Sequence, residues 1–314
     1  MGLFGGKKKE PGWMSLSLSE EGLCVAHSRP GPHGKQQVTV CGMVQANAAN
    51  PASMAKAGRD MHMNRYRCTT LLGLDEYQML VVEAPNVPPD ELKTAMRWRI
   101  KDMLDYHIDD ATIDVLDIPP DKNGPARSHS MYAVSARNDV IEKKVALFDE
   151  AKVPLEVIDI PEMAQRNIAN LLEQPGRGVA LLSFDERGGL LTVTFGGELY
   201  LARHVDVSWR DLAEAGAEMQ QNYFDRITLE LQRSIDHLER QFQFISISQI
   251  WLAPLPNAEA LRQYLASNLY LSVEMLDLSD FFDFSRVPAL ESPENQVRFF
   301  LPLGATLRHE AKAL

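Results

Sequence analysis

The chain has 314 residues, enough for two lobes that each bury a core of their own. A hydrophobic fraction of 45%, a charged fraction of 24% and a mean hydropathy of -0.22 exclude a disordered chain and a membrane-embedded one. Net charge of -11 and a pI near 5.3 set the whole-molecule field against nucleic acid and anionic lipid, so no nucleic-acid partner is expected.

The chain opens with MGLFGGKKKE. Its apolar stretch is too short for a signal peptide, and Gly6 stands where a myristoylation signal wants Ser or Thr. Residues 1–12 read as a flexible tail in which Leu3, Phe4, Lys7, Lys8 and Lys9 bias the chain toward an anionic leaflet without anchoring it. From Trp13, alternating Met14, Leu16 and Leu18, a Glu20-Glu21-Gly22 turn and a return over Leu23 to His27 predict a hairpin. A third strand is expected over Gln37 to Met43, a helix in ASMAKAGRDMHM, and a short strand over Leu80 to Glu83. In NVPPDELKTAMRWRIKDMLDYHI, Pro88 and Pro89 start a helix and Asp90 and Glu91 suit its dipole.

Strands follow over Thr112 to Ile118 and Ser130 to Ala136, then a helix over Asn138 to Lys152, the strand LEVIDI and the helix EMAQRNIANLLE. Pro175-Gly176 is the best boundary, because beyond it the pattern restarts with three strands: GVALLSF, LLTVTF and ELYLARHVDV. A long helix is expected over Asp225 to Phe244, with Ile227, Leu231, Ile235, Leu238 and Phe242 on one stripe. The strand SQIWLA, the helix EALRQYLASNL and the strand SVEML complete a topology that duplicates the first half.

No run approaches the roughly 20 apolar residues of a membrane span, so no crossing is expected. Cys24, Cys41 and Cys68 lack metal-ligand spacing and read as free thiols. No GxSxG pattern offers a nucleophile, and neither His62 nor His107 has a catalytic partner at suggestive spacing. Asp109, Asp110, Asp114 and Asp117 lack the pattern of a calcium loop, so no metal site is expected.

Several blocks together carry a resemblance: the MGLFGGKKKE lead-in, VPPDELKTAMRWRIKDML with IDDATIDVLDIP, MYAVSARNDVIEKKVALFDEAKVPLEVIDIPEMAQRNIANL, GGELYLAR, LELQRSIDHLERQF and LPLGATLRHE. In order and spacing they resemble the PilM/GspL-type actin-like proteins of type IV pilus and type II secretion assembly platforms. The resemblance implies an α/β, actin-like (ribonuclease H-like) two-lobed fold. It assigns a first lobe to 13–175 with an inserted α/β subdomain near 88–152, a second lobe to 176–292, and a segment returning to the first lobe over 293–314. It implies a cytoplasmic protein peripheral to a bacterial inner membrane, whose partner is a PilN-like single-span membrane protein that offers its cytoplasmic tail. An assembly ATPase or a second copy of the chain are further partners it allows. GspL relatives continue into a membrane helix; ending at Leu314, this sequence resembles the PilM-like arrangement.

The family also implies positions for a nucleotide between the lobes. They are Ser17, Ser19 and Glu20 at the first hairpin turn, Ser183, Asp185 and Gly188 at the second, and Ala253 after the strand that would meet adenine. Actin-like ATPases cradle phosphate on glycine-rich turns. Here Ser183 replaces an expected aspartate, carboxylates at Glu20, Glu21, Asp185 and Glu186 crowd both turns, and APLPN replaces the last glycines. A carboxylate about 4 Å from a phosphate costs on the order of a few kcal/mol at an effective dielectric near 20. The expectation is a degenerate cleft with no cofactor and no ATPase activity, its carboxylates being solvated turns; an ATPase using ATP with magnesium is the alternative. A sugar kinase of the same superfold is a remoter one, for want of a catalytic aspartate in context.

Arg97, Trp98, Arg99 and Lys101 cluster on the helix after Pro89. They read as the polar face of an amphipathic helix, or, through the resemblance, as a docking surface for the partner tail on the first lobe. In the second case, replacing Arg97 and Trp98 weakens partner binding without loss of thermal stability.

Overall fold

A computed structural model describes residues 9–19, 21–45, 50–121 and 129–309. Leu3, Phe4, Lys7, Lys8 and Glu20 lie outside them. Lys9 and Glu10, expected in the flexible tail, are held to the body: the Lys9 ammonium donates to Tyr66 O at 2.7 Å, and the Glu10 N–H donates to Arg65 O at 2.7 Å.

The first lobe opens with β1 (Trp13–Ser19), β2 (Gly22–Pro30) and β3 (Gln36–Val44), and runs through α1 (Pro51–Asp60) to β4 (Arg67–Leu71). The chain then builds a separate small sheet from β5 (Tyr77–Glu83), β6 (Ala111–Ile118) and β7 (Ser130–Arg137), with α2 (Leu92–Ile100) between β5 and β6. Helix α3 (Asn138–Glu150) returns it to the main sheet as β8 (Leu155–Asp159), and α4 (Pro161–Leu172) leads to the second lobe. There follow β9 (Gly178–Phe184), β10 (Gly189–Phe195), β11 (Glu198–Val205), α5 (Trp209–Glu214), α6 (Ala217–Gln241), β12 (Ile247–Leu252), α7 (Ala258–Asn268) and β13 (Ser272–Met275). A two-residue strand β14 (Phe282–Asp283) pairs with β3 of the first lobe, and α8 (Pro293–Thr306) closes the fold.

The two large sheets repeat one topology. In the first the order is β3-β2-β1-β4-β8, and in the second β11-β10-β9-β12-β13. In each, three antiparallel strands are followed by two parallel ones. Side-chain parity explains why β2 is buried nearly throughout. Leu23 and Val25 face a core with Met54 of α1 and Phe148 of α3, whereas Cys24 and Ala26 face a second core with Ile168 of α4 and Phe300 of α8. In the second lobe, Ala180 and Leu182 of β9 meet Leu231 of α6 and Leu261 of α7, while Val179 and Leu181 meet α4 and α8. Helices α4 and α8 thus form a layer between the sheets.

Two boundaries differ from expectation. The small sheet takes in Tyr77–Glu83 and so begins before position 88, because β5 pairs with β7 rather than with the main sheet. Helix α6 starts at Ala217 rather than Asp225, since its first turns are polar and exposed and carry no apolar stripe until Phe224.

Candidate functional site

A small cleft lies between the lobes. It is bounded by Ser17 and Ser19 at the end of β1, Glu21 of the turn that follows, Asp185 to Arg187 of the β9–β10 turn, Trp209 of α5, and Arg298 of α8. Its volume is about 110 Å³, against roughly 300–1,000 Å³ for ordinary small-molecule sites.

The turn carboxylates are not simply solvated, as the sequence suggested. Asp185 Oδ1 accepts the N–H groups of Arg187 at 2.7 Å and Gly188 at 3.0 Å, so the donors that would cradle a phosphate are satisfied within the turn. Burial nonetheless pushes the Asp185 carboxyl above its ordinary range, opposed by those bonds and by Arg187. Glu21 and Glu186, on opposite lobes, both accept from the Arg210 guanidinium, at 2.6 and 2.9 Å. Arg298 reaches Glu21 from α8 at 3.1 Å. Both arginines escaped the reading of the sequence, because nothing local in SWRD or QVRF marks a residue that reaches another lobe.

The remaining nucleotide-loop positions divide. Ser17 and Ser19 line the cleft, and the Ser19 hydroxyl donates to Gly22 O at 3.1 Å. Ser183 is buried beneath it, donating to Gln165 Oε1 at 2.5 Å; the same side-chain amide of α4 donates to Leu181 O and Leu190 O. Ala253 is a core residue whose N–H extends β12 by bonding Leu182 O at 2.8 Å. Gly188 is required by packing, since a Cβ there would meet Val205 O at 2.7 Å. Glu20 lies outside the described residues. Cys24 also borders the cleft, and burial pushes its thiol up to about 11, which leaves it protonated and unreactive at neutral pH.

A larger groove of about 570 Å³ lies in the first lobe. One wall is β8, the last strand of its sheet, so alternate backbone N–H and C=O groups face away from β4. Facing it are Thr112, Asp114 and Leu116 of β6 and Val134 and Ala136 of β7, with Ile141 and Val145 of α3 between. Val145 is 49% exposed. Four carboxylates, Asp114, Asp149, Glu156 and Asp159, line the groove, and each is paired with a cation beside it: Lys93, Lys152, Arg67 and Arg308 respectively.

The Arg97, Trp98 and Lys101 cluster lies apart from this groove. Arg97 donates to Ile108 O at 2.6 Å and Ala111 O at 2.9 Å, clamping the lead-in to β6. Trp98 is 68% exposed, with the Lys101 ammonium 5.5 Å from its ring centre. Arg97→Ala is therefore expected to cost about 1–2 kcal/mol of stability, contrary to the sequence-based expectation for this residue, while Trp98→Ala stays within about 0.5 kcal/mol. Urea unfolding of the two variants measures both.

Among the described residues no helix is long and apolar enough to cross a membrane, and no group of three or more His, Cys, Asp or Glu is placed to hold a metal ion. The duplicated sheets around a central helical layer define an actin-like, two-lobed α/β fold. The chain superposes on a solved structure described as a PilM-PilN type IV pilus biogenesis complex with a TM-score of 0.70, over 94% of this chain and 97% of that one, at 17% identity. Fainter likenesses reach the cytoplasmic domain of EpsL, an inner-membrane component of the type II secretion system of Vibrio cholerae (TM-score 0.47, 14% identity, 89% and 95% covered). A Bacteroides thetaiotaomicron protein with an actin-like ATPase fold and unknown function is comparable (0.49, 11%, 93% and 99%). No protein-family profile and no curated protein matches the chain.

Proposed function

We propose that this chain is a non-catalytic, PilM-like scaffold on the cytoplasmic face of a bacterial inner membrane, in the assembly platform of a type IV pilus. Within that class the sequence blocks resemble MshI, which serves the mannose-sensitive haemagglutinin pilus. The partner is the cytoplasmic tail of a PilN-like bitopic protein, taken up as an extended segment in the groove of the first lobe. The observation that carries this is the groove itself, which combines an open strand edge with apolar walls, the features by which a sheet captures a peptide strand. The full-length likeness to the PilM-PilN structure supports the same partner class.

The scaffold works without nucleotide. What supports this is the small cleft, the Asp185 carboxylate occupying its own turn, and the Arg210 bridge between carboxylates on the two lobes.

Calorimetric titration with the cytoplasmic tail peptide of a PilN-like bitopic protein from the same bacterium is expected to give micromolar affinity; absence of binding by that tail overturns the scaffold reading. Titration with labelled ATP and magnesium is expected to give no micromolar binding. Micromolar affinity there would instead favour an ATPase whose nucleotide state regulates the partner.

A further inference from the structure

We infer that Arg210 is an ionic latch that sets the angle between the lobes, and that the latch controls the groove on the first lobe. The second part rests on the groove being the tail-binding site; the first does not.

Arg210 is mounted firmly in the second lobe. Its helix begins at a capping box, in which the Ser208 hydroxyl accepts from the Asp211 N–H at 3.1 Å and the Asp211 carboxylate accepts the Ser208 N–H at 2.8 Å. The Trp209 N–H donates to Asp185 O at 3.0 Å, tying that helix start to the β9–β10 turn. From this mount the guanidinium holds Glu186 of its own lobe and reaches Glu21 of the other. Glu21 is in turn braced by Arg298 of α8, in the layer between the sheets. The two turns bridged here are those on which an actin-like cleft would grip phosphate from both sides.

The layer beneath the latch is buried and apolar, with α4 and α8 packed on each other and on both sheets. Arg210 is 45% exposed and its partners 42% and 38%. Such pairs are weak individually and screened by salt, so they bias an angle rather than hold the lobes together. A two-state element needs such a bias to be adjustable.

The cleft is joined to the groove by covalent continuity and by a shared side chain. Asp159 and Ile160 line the groove and Pro161, the next residue, lines the cleft; Leu72 lines both, and its N–H donates to Asp159 O at 2.8 Å. Opening the cleft therefore moves the end of the strand that forms the groove wall.

The test uses fluorophores introduced as unnatural amino acids at Lys143 on α3 and Met219 on α6, both exposed. Energy transfer between them is measured in the full chain, alongside tail-peptide affinity. Arg210→Gln and Glu21→Gln are each expected to lengthen and broaden the interlobe distance and to change tail affinity at least threefold. Wild type in 1 M sodium chloride is expected to approach the variants. Arg226→Gln, which removes a pair confined to the second lobe, is expected to change neither. An unchanged distance in both latch variants overturns the latch. A changed distance with unchanged affinity overturns the coupling to the groove. Failure of the tail to bind the wild type as well as the variants overturns the scaffold reading and leaves the distance result to judge the latch.

Discussion

Gly304→Ala is expected to destabilise the chain by forcing apart its two central helices. Gly304 lies where α8 crosses α4, and a Cβ there would sit 2.2 Å from Ala164 O and 2.8 Å from Ala164 C. Both obstacles are backbone, which cannot swing aside as a side-chain tip does. The crossing is also tied by Asn167, whose side-chain amide donates to Gly304 O at 3.0 Å. Alanine improves intrinsic helix propensity by about 1 kcal/mol. Separating the helices would loosen the core shared by both lobes, where Ile168, Phe300 and Leu303 are essentially fully buried. The net loss is expected to be about 2–3 kcal/mol, seen as a fall in Tm of roughly 4–12 °C. Thermal unfolding followed by circular dichroism checks it; a Tm equal to or above that of the wild type would mean that the helices do not approach this closely.

The second large effect concerns the groove. Val145→Lys is expected to reduce tail-peptide affinity at least tenfold while leaving the melting temperature within about 2 °C. Val145 is half exposed on α3 and lines the groove, so the free protein loses little by the change. A bound apolar anchor would lose the burial of a valine, worth about 1.5–3 kcal/mol, or a factor of ten or more in affinity. Val145→Leu keeps the apolar surface and is expected to retain affinity within threefold. Equal affinities for the lysine and leucine variants would move the tail to another surface.

Much of the secondary structure was legible because its signals are local. The alternation of Met14, Leu16 and Leu18, the turn glycines at Gly22 and at Gly196-Gly197, and the stripe of Ile227, Leu231, Ile235 and Leu238 each lie within a few turns of chain. Local readings failed where an element's partner was remote. The second half of β5, Leu80 to Glu83, could be recognised as a strand, but its sheet could not, since its partner begins at Ser130. Arg97 read as a surface cation because the carbonyls it clamps lie 11 and 14 residues onward, at the start of β6 and in the turn before it.

By itself the sequence determined the duplicated order of strands and helices, the free thiols, and the carboxylates at both hairpin turns. These follow from residue type, periodicity and short-range turn chemistry, which need no knowledge of distant neighbours. Tertiary structure alone decided what the carboxylates do: Asp185 closes its own turn, while Glu21 and Glu186 meet at Arg210 across 189 and 24 residues of chain. It also decided that an open strand edge, a sheet face and a helix converge on one groove. Such meetings depend on how two sheets and a central pair of helices pack, and side-chain reach across that packing leaves no periodic trace in the chain.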